Sequence, residues 1–176
     1  MTELNKTFVI LVNENDQVIG KMEKMEAHEK ALLHRAISVF VLNSKGEWLL
    51  QRRALNKYHS SGLWTNTTCS HPYPDESTHA AAERRLLEEM GLTCELKEIF
   101  TFIYKEKLDN NLSEYELDHV FVGFSDDLPQ INKTEVMEWR YISFDQICSE
   151  IETNPSKYTV WFYKIFSKVN DYLKNK

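Results

Sequence analysis

Glu76-Ser-Thr-His-Ala-Ala-Ala-Glu83-Arg84-Arg85-Leu-Leu-Glu88-Glu89-Met90-Gly91-Leu92 is the most strongly patterned stretch of the chain. Ser77 suits a helix N-cap, because its short hydroxyl can accept one of the unpaired first-turn amides. Gly91 supplies the left-handed backbone at which helices commonly stop, so the spacing predicts a helix from Ser77 to Met90. Arg84 and Glu88, like Arg85 and Glu89, stand four apart and meet on the helix surface. Two adjacent glutamates alone would be an ordinary solvated face. The full ordered set, with glycine at the stop, is much harder to read that way.

Working outward, the chain before this helix reads mostly as strands. Residues 8–12 are an apolar run of strand length, followed by a polar turn at 13–16 and a return through Val18 and Ile19. Residues 37–42, the turn Asn43-Ser-Lys-Gly46 and residues 48–52 predict a hairpin. Residues 54–74 have no period and predict a long functional loop, with Tyr58, Trp64, Cys69 and Tyr73 arguing against disorder. After the helix, strands are expected over 94–104, 116–124 and 137–142. Ser143-Phe-Asp-Gln146 predicts a capping box. Asn154-Pro155 predicts the start of a last helix that buries Val160, Trp161, Ile165, Val169 and Leu173. This order implies an α+β fold, a mixed β-sheet core flanked by helices.

With 176 residues, 42% apolar and 27% charged, one domain over 1–176 with one core is expected. No stretch approaches the roughly 20 apolar residues of a membrane helix, and the N-terminus lacks the layout of a secretory signal. A net charge of −6 argues against nucleic acid or an anionic membrane as partner. It leaves room for a small anion held by a few cations in one pocket. Cys69, Cys94 and Cys148 are too few and too scattered for a disulfide framework, which points to a reducing cytoplasm. Cys94 and Cys148 read as small buried hydrophobes. A monomer or weak dimer is expected.

The stretch from Glu76 to Leu92 resembles the Nudix box, whose loop–helix–loop presents glutamates to a divalent cation bound to a diphosphate. Hard oxygen ligands on a rigid helix suit Mg²⁺, whose shell a substrate phosphate can complete. Two positions depart from the box. Ser70 stands where it opens with glycine, and Arg85 stands where a metal-binding glutamate follows the first arginine. That glutamate helps Nudix hydrolases drive water at phosphate, whereas a guanidinium pairs with phosphate oxygens. The scaffold therefore resembles Nudix, and hydrolysis is not the expected chemistry.

Trp64-Thr-Asn-Thr-Thr-Cys69-Ser-His71-Pro72 makes the resemblance more specific. So do Ala27-His28 with Leu32-Leu33-His34-Arg35-Ala36, then Arg52-Arg53-Ala54-Leu55 with Lys57, then Glu114-Tyr115-Glu116. Together, from about residue 23 to 161, they resemble the type 1 isopentenyl-diphosphate isomerases of isoprenoid biosynthesis. The resemblance implies a primary metal site of His28, His34, His71, Glu114 and Glu116, with Cys69 counted beside it. Glu114 and Glu116 can share it because residues i and i+2 of a strand face the same way. Three imidazoles and two carboxylates suit Mn²⁺, Zn²⁺ or Fe²⁺ better than Ca²⁺ or Mg²⁺. Glu89 would hold a separate Mg²⁺ that bridges to the substrate diphosphate.

The implied reaction moves a double bond between isopentenyl and dimethylallyl diphosphate. A proton is added at C4, a tertiary cation-like state forms at C3, and a proton leaves C2. Such chemistry needs a positioned acid and a base across the substrate. The resemblance places Glu116, partnered by Tyr104, on one face and the Cys69 thiolate, as the C2 base, on the other. Which group gives the first proton stays open. Trp161 is the implied aromatic over the cationic carbon; its spacing with Ile165 would equally suit a core position. Lys24, Arg53, Lys57 and Arg85 are the implied diphosphate ligands. Adjacent residues of a strand face opposite ways, so Arg52 is read as structural. His59, His79 and His119 read as ordinary surface or core histidines. A Nudix pyrophosphohydrolase and a noncatalytic binding module are the rivals. Arg85 with the Cys69/His71 motif argues against the first, and the complete ligand set against the second.

Overall fold

In the computed structural model, which describes residues 7–175, the elements follow in the order β1 (Phe8–Val12), β2 (Val18–Glu23), α1 (Lys24–Glu29), β3 (His34–Leu42) and β4 (Trp48–Arg53). Next come β5 (Trp64–Thr65), β6 (Thr68–Ser70), α2 (Thr78–Met90), β7 (Leu96–Lys107) and β8 (Ser113–Phe124). The chain ends with β9 (Val136–Ile142), α3 (Phe144–Thr153) and α4 (Val160–Lys174). Strand β3 sorts its side chains by parity. Ile37, Val39 and Val41 pack with Ala81, Ala82, Leu86 and Met90 of α2. Phe40 and Leu42 pack with Ile147 and Ile151 of α3 and with Phe162, Ile165 and Val169 of α4. A strand apolar on both faces must be covered on both, so the sheet lies between helices.

The sheet forks. At the tip of the expected hairpin, β3 and β4 pair only through Val41–Leu49 and Leu42–Trp48. Beyond that they separate: β6 pairs antiparallel with β3, while β5 and β9 take the two sides of β4. On its other side β3 runs parallel to β8 along its whole length, and β7 closes antiparallel on β8. The opening between the branches is where the cleft described below lies.

Helix α2 starts and stops as expected. The Ser77 hydroxyl accepts from the Ala80 amide, and Gly91 takes φ +64°. Ser143 and Gln146 form the capping box of α3. The sequence reading is corrected in three places. The loop expected over 54–74 contains β5 and β6, and α1 was not foreseen. These short segments have little periodicity of their own and are defined by tertiary pairing. The last helix does not start at Asn154-Pro155. Pro155–Lys157 is a single 3₁₀ turn, and α4 begins at Val160. The intervening Thr159 is extended, its amide donating to the Trp64 carbonyl (2.9 Å) and its hydroxyl to Thr65 Oγ1 (2.9 Å). This cross-link puts Trp161 in the first turn of α4.

Candidate active site and metal centre

Strand register builds the centre of the site. His34 on β3 and Tyr104 on β7 both lie opposite Glu116 on β8, giving a row of three across the sheet. The Tyr104 hydroxyl donates to Glu116 Oε2 at 2.6 Å. Glu116 Oε1 lies 2.8 Å from His71 Nε2 and 3.5 Å from His34 Nε2. Glu114, two residues earlier on the same face, approaches His28 Nε2 to 3.3 Å. Backbone carbonyls set the rings. His28 Nδ1 is 2.7 Å from the Lys24 carbonyl, and His34 Nδ1 is 2.8 Å from the Leu32 carbonyl. A carbonyl only accepts, so each Nδ1 carries the proton and each Nε2 turns a lone pair inward, as in metal-binding histidines.

One donor atom from each of His28, His34, His71, Glu114 and Glu116 lies within 4.8 Å of all the others. His34 Nε2 and His71 Nε2 face each other at 3.2 Å. His28 Nε2 and Glu114 Oε2 are shut off from solvent and have no hydrogen-bond partner. Buried lone pairs left unpaired are costly, and converging ones are explained by a cation between them. The residues thus fit a divalent ion, and the nitrogen-rich donor set suits a transition metal or zinc.

Burial raises Glu114 well above the usual carboxylate range, with the Glu116 charge acting in the same direction. Burial also works on Glu116, but the His34 and His71 imidazoles beside it hold it well below that range. Burial brings His71 down to about 3 despite its bond to Glu116. It pushes the Cys69 thiol up to about 12, outweighing the nearby Arg53 charge. That burial favours the thiol over the thiolate expected from the sequence. Tyr104 is likewise raised by burial and is held as a phenol.

His71, Glu114 and Glu116 of the cluster line a cleft of about 230 Å³, as do Cys69, Tyr104 and Trp161. Lys24, Arg53, Lys57, Arg85 and Glu89 border the same cleft. Arg53 lies over the Trp161 ring, 5.3 Å from its centroid, whereas Arg52 turns outward to the Gly62 carbonyl (2.8 Å) and Glu138 (3.2 Å). Trp161 packs in the core and also lines the cleft. Lys24 lies 4.5 Å over Tyr58; burial, then Lys57 and Arg85, lower its pKa. Arg85 is already gripped by Glu88 (2.7 Å), Glu89 (2.5 Å) and Glu135 (3.3 Å). Gln51 donates to the other oxygen of Glu89 at 2.6 Å.

His59 was read as an ordinary histidine but is buried in the cleft wall with Nε2 3.3 Å from Glu114 Oε1. No local pattern marks it; only its place in the loop between Arg53 and Trp64 hints at the site. Asp118 lies near the site but outside the cleft lining. It continues the Glu114–Glu116 alternation, is buried, and accepts from the Ser38 hydroxyl at 2.7 Å. His79 and His119 lie outside the cleft lining; His119 is buried between Glu98 (2.9 Å) and Asp16 (3.2 Å).

Residues 32–162 match the NUDIX domain family. Isopentenyl-diphosphate Delta-isomerase of Pectobacterium atrosepticum is 53% identical over 94% of this chain and 93% of its own length. Isopentenyl-diphosphate Delta-isomerase 2 of Aromatoleum aromaticum is 46% identical over 92% of this chain and 85% of its own length. Among solved structures, DR0079 of Deinococcus radiodurans superposes with a TM-score of 0.70 at 18% identity, over 84% of this chain and 90% of that one. A MutT protein from Methanosarcina mazei superposes with a TM-score of 0.67 at 23% identity, over 82% and 96%. At such identities these two structures speak to the fold.

Proposed function

The chain belongs to the isopentenyl-diphosphate Delta-isomerase family, carried on a NUDIX domain, and from that premise we propose how its residues interconvert isopentenyl and dimethylallyl diphosphate. The carrying observation is that a tyrosine-bound carboxylate, Glu116, and a free thiol, Cys69, line one cleft beside converging imidazoles.

Lys24, Arg53, Lys57 and Arg85 hold the diphosphate, and the hydrocarbon end lies between Cys69 and the Glu116–Tyr104 pair. Glu116 and Tyr104 form the proton-bearing pair on one face, and the thiol of Cys69 faces them from the other. One face delivers a proton to C4 and the other takes one from C2, so the C3–C4 double bond becomes C2–C3 with no net gain of protons. Burial favours the Cys69 thiol and Glu116 is held ionised, so the thiol proton passes to Glu116; Glu116 then gives it to C4, and the sulfur left as thiolate takes the C2 proton, which resets the pair. The Trp161 face lends electron density to the cation-like carbon. A Mn²⁺, Zn²⁺ or Fe²⁺ ion on His28, His34, His71, Glu114 and Glu116 would supply positive charge that tunes the Glu116 proton, while Mg²⁺ on Glu89 would screen the diphosphate. To bind phosphate, Arg85 must loosen its grip on Glu88, Glu89 and Glu135, and Mg²⁺ at Glu89 would favour that exchange.

No helix among the described residues is long and apolar enough to cross a membrane. A single domain over 1–176, working in the cytoplasm as a monomer or weak dimer without nucleic-acid partners, is consistent with the acidic composition. The test is incubation with isopentenyl diphosphate, Mg²⁺ and Mn²⁺ in deuterated water. Dimethylallyl diphosphate with deuterium in a methyl group is expected. Release of inorganic phosphate without that product would restore the pyrophosphohydrolase reading.

A further inference from the structure

Resting on the metal-centre reading above, we infer that His59 is a positioning residue that locks the Glu114 carboxylate in its metal-binding orientation. Glu114 divides its two oxygens. Oε2 points toward His28 Nε2 at 3.3 Å without a hydrogen bond, while Oε1 lies 3.3 Å from His59 Nε2. On the other side of the imidazole, Nδ1 lies 3.2 Å from the Ser60 hydroxyl. A hydroxyl donating to Nδ1 leaves the proton on Nε2, directed at Glu114.

The ring is confined. It meets Tyr58 edge-on at 4.4 Å, stacks on His28 at 6.1 Å and meets Trp161 at 5.8 Å and 90°. Its backbone is confined too, since the His59 carbonyl accepts from Arg53 Nη2 at 3.3 Å. A single residue therefore touches a cluster carboxylate, the aromatic wall and a proposed diphosphate ligand.

Glu114 needs such a hold. It shares a strand face with Glu116, both carboxyl groups are buried, and whenever both are ionised their charges repel. Without a partner on Oε1, the carboxylate could swing away from His28 and would leave a buried oxygen unpaired. Outer partners of this kind orient metal ligands, and their loss typically weakens metal binding by roughly 10–100-fold.

The test uses the full chain loaded with Mn²⁺ and dialysed against graded chelator, with retained Mn²⁺ read by atomic absorption. His59→Ala should bind Mn²⁺ at least about ten-fold more weakly than the wild type. His59→Gln, whose amide nitrogen reaches the place of Nε2, should recover most of that loss. His59→Asn, which reaches only the place of Nδ1, replaces the alanine variant if that one does not fold. Thermal midpoints serve as the control, since a merely structural role would lower them without separating Gln from Asn. Equal Mn²⁺ retention in all variants, or no advantage of Gln over Asn or Ala, overturns the inference. Wild type that retains no Mn²⁺ would instead overturn the metal centre, and with it the role given to His59.

Discussion

In the proposed reaction two small groups carry the chemistry at the scale of single residues. The Tyr104 hydroxyl holds Glu116 Oε2, and the Cys69 thiol shares their cleft. Tyr104→Phe removes one oxygen and leaves a buried carboxylate oxygen short of its donor. A fall in kcat of about 10²–10⁴ is expected, with bound Mn²⁺ unchanged. Turnover within a few-fold of wild type would remove Tyr104 from the proton route. Cys69→Ala should abolish turnover while leaving the thermal midpoint and metal content close to wild type; a still-active variant would show that the second face uses another group. These side chains were legible because their spacing resembles a known motif set. His59 was not, since nothing adjacent in sequence distinguishes a histidine in a cleft wall from one on a surface.

At the scale of elements, α2 carries its own instructions. Its N-cap, its Arg/Glu pairs and its terminal glycine all act within a few residues, and the helix forms where they place it. Arg84 adds a longer latch, gripping both oxygens of Glu76 at 2.7 Å and tying the preceding loop to the helix. Gly91 also serves the tertiary structure, because a Cβ there would lie 2.6 Å from the Gln130 carbonyl oxygen. Gly91→Ala combines that clash with a positive φ, so a loss of at least about 1 kcal/mol is expected. Chemical denaturation checks it, and an unchanged midpoint would mean the 130 region yields freely. The start of α4 shows the reverse case. Asn154-Pro155 has good local helix-start chemistry, yet the pairing of Thr159 with Trp64 and Thr65 delays the helix to Val160.

For the molecule as a whole, buried ionisable groups set the response to acid. His59 and His71, brought down to about 3 from an ordinary 6.5, stay neutral when folded, so as pH falls the unfolded chain takes up their protons first. Glu76 and Glu150, held down by Arg84 and Arg140, push the same way below 4.5, and so does Glu116. Glu114 and Asp118, raised by burial, act oppositely at higher pH, where the folded state binds their protons first. Their opposing effect ends below the ordinary 4.5 and 3.8, where both states are protonated. Stability of the metal-free protein should therefore fall from pH 3.8 to about 3. A urea midpoint no lower at the acid end would contradict this balance. The sequence by itself determined the layer pattern, both ends of α2, the start of α3, and which residue types could serve a diphosphate site. Those features rest on periodicity and capping, which act over a few residues. Only the tertiary structure decided the fork between β3 and β4, the row of His34, Glu116 and Tyr104, and the place of His59 against Glu114. Each of these joins residues far apart in the chain, and register and packing, not local propensity, choose their neighbours.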